Sequence, residues 1–197
     1  LGLRACRFGL ITPEIYNMQI RAIVKAAYKV QEEGKEPMPG IMFPLVLTAN
    51  ELFVLRERFM ALEEEIRMEL KIPFQDKIKF KIGTMVELPS AALSTDKLAS
   101  VSEFFAFGTN DLTQTTLGIS RNDSENYLPF YLENNILESD PFKVLSGPVK
   151  ELIGTAVQRG KRVRKNAHFG ICGEQGGDIN TLKFCVSAGL DYVSCSA

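Results

Sequence analysis

At 197 residues the chain is long enough for one domain with a sizeable core. Its 45% hydrophobic and 24% charged content excludes intrinsic disorder, and its net charge of -1 leaves no electrostatic footprint for nucleic acid. No apolar run reaches about 18 residues, so no membrane span is expected. Four cysteines without a CxxC pair argue against a zinc site and for reduced thiols, hence for a reducing compartment such as the cytoplasm.

In chain order, Arg4–Leu10 reads as a short strand. Thr12 as N-cap and Pro13 as first helical residue then open a helix that stops near Gly34. IMFPLV (Ile41–Val46) is the next strand, and Thr48 with Glu51 three residues later forms a capping box for a long helix to about Lys71. Strand Lys79–Glu87 and a short helix from Pro89 to about Ala99 follow. FFAFGTND (Phe104–Asp111) is the fourth strand, and Asp140-Pro141 starts helices that end near Gly160. GICGE is the fifth strand, a helix runs from about Ile179 to Gly189, and YVSCS (Tyr192–Ser196) is the sixth strand. The chain opens and closes on strand-like sequence, as a segment of something longer would.

Alternating strands and helices predict parallel βαβ units. Both a doubly wound sheet and a (β/α)8 barrel answer to that order. Chemistry at several successive strand ends favours the barrel, and no G-x-G-x-x-G or P-loop points to a nucleotide fold. The expectation is therefore an incomplete α/β barrel of TIM type, with about six of eight strands present and the rest before Leu1.

The strand ends carry the chemistry. Glu87 closes one apolar run; Gly108, Thr109, Asn110 and Asp111 close the next; Cys172 sits between two glycines at a third. Two carboxylates with an amide and water suit Mg²⁺ or Mn²⁺, above all where a substrate phosphate completes the shell. Arg4 and Arg121 suit a bidentate grip on carboxylate or phosphate, whereas Arg7 reads as a surface residue. A protonated Cys172 thiol could act as a general acid. Cys6, Cys185 and Cys195 read as structural, the stretch Arg159–Lys165 as a solvated helix end, and His168, which precedes its strand, as lying on the stability face.

LGLRACR, IMFPLV, GTMVELPSAAL, FFAFGTNDLTQ, GICGEQGG and AGLDYVSCS together resemble the C-terminal phosphoenolpyruvate/pyruvate barrel of the phosphoenolpyruvate-utilising enzymes, over the whole chain. LENNILESDPF and GLDYVSCS look most like the dikinase branch of that family. The resemblance implies reversible, Mg²⁺-dependent phosphoryl transfer between an enzyme phosphohistidine and pyruvate, forming phosphoenolpyruvate. Glu87 and Asp111 match metal ligands, Arg4 a phosphoryl-gripping arginine, Gly108, Thr109 and Asn110 a substrate loop, and Cys172 the acid/base at carbon. It also implies ATP-binding and phosphohistidine domains elsewhere in a longer chain, a homodimer through the barrel, and an inactive segment when isolated. Four positions depart from the family pattern: Ala5 for glycine, Ser90 for arginine, Ala106 for serine and Gln175 for histidine. Other readings are the synthase or Enzyme I branches, a related Mg²⁺ barrel lyase acting on oxo-acids, and a truncated, non-catalytic barrel that only binds a ligand or partner.

Overall fold

The structure is a computed structural model that describes residues 2–195. Five strands form one sheet: β1 (Gly40–Phe43), β2 (Lys81–Val86), β3 (Phe104–Gly108), β4 (His168–Cys172) and β5 (Tyr192–Val193). They lie in sequential order and every pair is parallel. A doubly wound sheet would reverse direction at a switch point; winding one way throughout is how a barrel is built. Among the described residues β1 pairs only with β2 and β5 only with β4, so the barrel is partial and both edges are open.

Among the described residues ten α-helices accompany the strands. Before β1 stand α1 (Ala5–Ile11) and α2 (Pro13–Glu32), and α3 (Ala49–Glu69) joins β1 to β2. After β2 come α4 (Pro89–Leu93) and α5 (Thr95–Val101), then, beyond β3, α6 (Thr109–Leu117), α7 (Arg121–Ser124), α8 (Leu128–Glu133) and α9 (Gly147–Val163). Helix α10 (Ile179–Ser187) joins β4 to β5. Among the described residues no helix is long and apolar enough to cross a membrane.

Strand periodicity divides the sheet into two unlike faces. Ile82, Thr84, Val86, Phe105, Phe107, Phe169 and Ile171 form the outer face, and all are buried. They meet a helical layer in which Leu52, Leu55, Phe59, Leu62 and Ile66 of α3 recur every three or four residues, joined by Val149, Ile153 and Ala156 of α9. At the centre the Phe105 and Phe169 rings stack with centroids 4.5 Å apart. The inner face alternates small residues with large ones: Met85, Ala106, Gly170 and Tyr192 stand side by side in register. A methyl group at Gly170 would meet the Tyr192 ring at 2.1 Å. That ring crosses over Gly170 and its hydroxyl donates to the Phe105 carbonyl at 2.9 Å, two strands away.

Local signals read from the sequence hold where the chemistry is local. Thr48 and Glu51 form the capping box of α3 in both directions, and Pro13 is the first residue of α2, with Thr12 before it but making no side-chain cap bond. Four expectations need correction. Arg4–Leu10 is no strand: Cys6 and Gly9 are buried on one helical face, and Ala5, at φ 53°, turns the chain away from the extended Arg4. So short an apolar run fits either period. Phe104–Asp111 is strand only to Gly108, because Thr109, Asn110 and Asp111 already form the first turn of α6. Asp140 opens a turn instead of a helix, its carboxylate accepting from the Phe142 N–H at 2.9 Å, and α9 begins at Gly147. The strand expected over Tyr192–Ser196 covers two residues, and Ser196 lies outside the described residues.

Ala5 in the left-handed region carries a cost that glycine would not. Ala5→Gly is expected to raise stability by about 1 kcal/mol in a denaturant titration. An unchanged or lower midpoint would place no strain at that position.

Candidate active site

The register fixes the rim. Val86 pairs with Phe107 and Phe107 with Ile171, so one residue further Glu87, Gly108 and Cys172 stand in one row at the C-terminal ends of β2, β3 and β4. Gly108 is the low point of that row. A methyl group there would meet Glu87 Oε2 at 2.8 Å and the Met85 sulfur at 2.7 Å, so the glycine lets the Glu87 side chain lie across the strand end towards Cys172.

Glu87 is buried at 4% exposure, and its Oε1 accepts the Leu45 N–H at 2.5 Å. Leu45 follows β1 at φ 58°, an uncommon conformation for a fully buried leucine. Asp111 arrives from the first turn of α6, with its carboxylate within hydrogen-bonding reach of Glu87. Burial, and the facing Asp111 carboxylate, push the Glu87 carboxyl up to about 7, against the pull of the Leu45 N–H and the Arg4 guanidinium. Arg4, just before α1 and half exposed, donates to Asp111 Oδ2 at 3.2 Å. On the other oxygen, Gln114 Nε2 donates to Asp111 Oδ1 at 3.3 Å.

Cys172 is half-buried, its sulfur 3.6 Å from the Phe107 carbonyl. Burial, and then the Glu87 carboxylate, raise its thiol above the ordinary cysteine range, so it stays protonated at neutral pH. Two contacts tie the Cys172 loop to α6: the Glu174 N–H donates to Asn110 Oδ1 at 3.3 Å, and the Thr109 hydroxyl lies 3.1 Å from the Cys172 carbonyl. Thr109 is fully buried, 2.7 Å from Gln175 Oε1, while Gln175 Nε2 donates to the Pro141 carbonyl at 3.0 Å. The unusual Gln175 is thus an uncharged tie beneath the loop.

Of the residues singled out in the sequence, Arg4, Glu87, Gly108, Asp111 and Cys172 come together. Asn110 lies beside them, lining a shallow pocket with Gly173, Glu174, Ser194 and Cys195. Arg121 does not join them. Its guanidinium pairs with Glu174 at 2.9 Å and lies 4.7 Å from the Phe142 ring centre, and only its backbone N–H, bonded to Gln114 Oε1 at 2.9 Å, links it to Asp111. His168 starts β4 at the opposite end from Cys172. Leu45 carries no chemistry-bearing motif and was not legible as a site residue, while Gln175 was legible only as a departure from the family pattern; each acts through where its neighbours place it.

Two hard carboxylates facing each other form a donor set for a divalent cation. Among the described residues no group of three His, Cys, Asp or Glu side chains cages an ion, so water and substrate oxygens would supply the remaining ligands, the usual Mg²⁺ arrangement. In metal-free buffer Glu87→Gln is expected to stabilise the fold. The raised carboxyl lowers wild-type stability as pH climbs from its ordinary 4.5 to about 7. The advantage of the variant should therefore be absent below that window and reach roughly 3 kcal/mol above it. Thermal melts from pH 4 to 8 without divalent ions check this, and parallel curves would refute it.

The family model described as "PEP-utilising enzyme, PEP-binding domain" matches residues 1–197. The chain is 42% identical to pyruvate, phosphate dikinase of Treponema pallidum over 207 residues, covering all of this chain and 23% of that protein. It is 46% identical over 197 residues to pyruvate, phosphate dikinase 2 of Zea mays and 47% over 198 to pyruvate, phosphate dikinase of Rhizobium meliloti, covering 22% of each. The chain thus spans under a quarter of the length of these relatives.

Proposed function

Because the chain belongs to the PEP-utilising enzymes, matched over their PEP-binding domain, we propose that it forms the C-terminal part of a phosphoenolpyruvate/pyruvate barrel within a longer dikinase-type enzyme. The reaction is reversible phosphoryl transfer between a phosphohistidine, carried by another domain, and pyruvate; ATP-binding belongs to a further domain. A homodimer through the barrel and a home in the cytoplasm or an organelle belong to the same reading. The observation that carries it is the single row of Glu87, Gly108 and Cys172, with Asp111 and Arg4 reaching over it.

Glu87 and Asp111 would hold Mg²⁺, which when bound supplies positive charge against enolate and phosphoryl oxygens. Relief of the carboxylate apposition fits such an ion. Arg4, exposed on the rim, grips the phosphoryl oxygens, and Asn110 at the start of α6 contacts the substrate beside Gly108 and Thr109. In the direction of pyruvate, the phosphoryl group leaves the enol oxygen for a histidine nitrogen of the other domain, forming the phosphohistidine, and the Cys172 thiol gives its proton to the methylene carbon, making the methyl group. In reverse, the thiolate removes a methyl proton and the enolate oxygen attacks the phosphorus of the phosphohistidine, whose P–N bond breaks to release the histidine. A thiol held protonated by burial and the Glu87 carboxylate suits the first direction at neutral pH. Arg121 reaches substrate only by giving up Glu174.

Cys172→Ser in the complete protein is expected to abolish pyruvate–phosphoenolpyruvate interconversion and the solvent exchange of pyruvate methyl hydrogens, while the ATP half-reaction survives. Methyl-hydrogen exchange followed by NMR decides it; retained exchange returns Cys172 to a structural role. Arg4→Lys keeps the charge but loses the planar fork, and turnover should fall about tenfold or more. Unchanged turnover would remove Arg4 from the site.

A further inference from the structure

The groups so far assigned to the reaction gather at the C-terminal rim of the strands. What holds the Glu87 carboxylate there comes from beneath it. The Leu45 N–H donates to Glu87 Oε1 from a residue at φ 58°, and a buried leucine does not rest in that conformation unaided. Its restraint comes from Cys6. The Cys6 thiol donates to the Leu45 carbonyl at 3.1 Å, and the Cys6 N–H donates to the Pro44 carbonyl at 3.3 Å. Cys6 is fully buried, and its sulfur is the side-chain partner of that carbonyl. Two residues earlier on the same segment, Arg4 reaches Asp111. One stretch of chain therefore touches both members of the carboxylate pair, Asp111 directly and Glu87 through Leu45.

We propose that Cys6 is a positioning residue: by locking Leu45 in its left-handed turn it aims the Leu45 N–H at Glu87 and so sets the separation of Glu87 from Asp111. The inference rests on the reading of those two carboxylates as the ion's ligands. Without the thiol, the Leu45 carbonyl is left buried without its partner, the Leu45–Val46 peptide can turn, and as Leu45 leaves its left-handed conformation the neighbouring Pro44–Leu45 peptide, whose N–H anchors Glu87, shifts with it. A serine hydroxyl restores a donor at the same place.

The test uses the complete protein and Mn²⁺ as probe, with free ion measured by electron paramagnetic resonance. The sites of interest are those that Glu87→Gln removes. Cys6→Ala is expected to weaken Mn²⁺ at those sites by about tenfold or more, as loss of a ligand's supporting contact does, and Cys6→Ser to recover most of that loss. Should Cys6→Ala fail to fold, Cys6→Val, which fills the pocket without a donor, is compared with Cys6→Ser in the same way. Wild-type affinity in the donorless variant overturns the positioning role, and so does an equal loss in the serine and donorless variants, which would make Cys6 a packing residue. If Glu87→Gln removes no Mn²⁺ site, the ligand reading itself fails.

Discussion

Parallel pairing in sequential order is the constraint on which the site depends. It sends the C-terminal ends of β2, β3 and β4 to one rim, and the register then sets Glu87, Gly108 and Cys172 abreast. No residue needs to reach far. A carboxylate and a thiol that are 85 positions apart in the chain (172 less 87) become neighbours, separated by a glycine whose missing side chain leaves the space between them open. A slip of one residue along β3 would turn Phe107 into that gap and bury the site under a ring.

The rim is costly to hold together, and its supports show where the cost falls. Glu87 is buried against another carboxylate, so the metal-free fold opposes its own ionisation. The supports on the two sides differ in kind. On the carboxylate side they are a strained residue and an arginine, both tied to the segment that opens α1. On the thiol side they are uncharged: Thr109 and Gln175 in the interior, with Asn110 on the surface. Neutral ties leave the field at Cys172 to Glu87, the charge that most directly keeps the thiol protonated.

What the sequence made legible follows the range of the interaction involved. The capping box at Thr48 and Glu51 spans three residues and was plain. The apolar runs of β2, β3 and β4, and the polar residues that end them, were equally plain, because strands buried on both faces read as continuous hydrophobic sequence. Arg4–Leu10 was misread because seven residues are too few to separate a helical stripe from a strand, and because an alanine gives no warning of a positive φ. Asp111 was placed on a strand tip, although the helix begins at Thr109. The role of Leu45 could not be read at all, since it lies in a peptide N–H that meets a carboxylate 42 residues away. Arg121 looked like a ligand grip from its place after the strand that leads to Asp111, and the structure pairs it with Glu174, 53 residues on.

The crossing of Tyr192 over Gly170 has a consequence for how this chain can vary. The two positions share one volume: the ring occupies the space that any side chain at 170 would need, and its hydroxyl reaches Phe105 only across a bare backbone. Size at one site is thus tied to size at the other, across 22 positions of sequence. An alanine at 170 demands a smaller residue at 192, and the strand β5, two residues long, then loses the bond that reaches past its neighbour. Position 170 cannot gain a side chain while Tyr192 stands, so mutational paths through this part of the inner face must shorten residue 192 before, or together with, any change at 170.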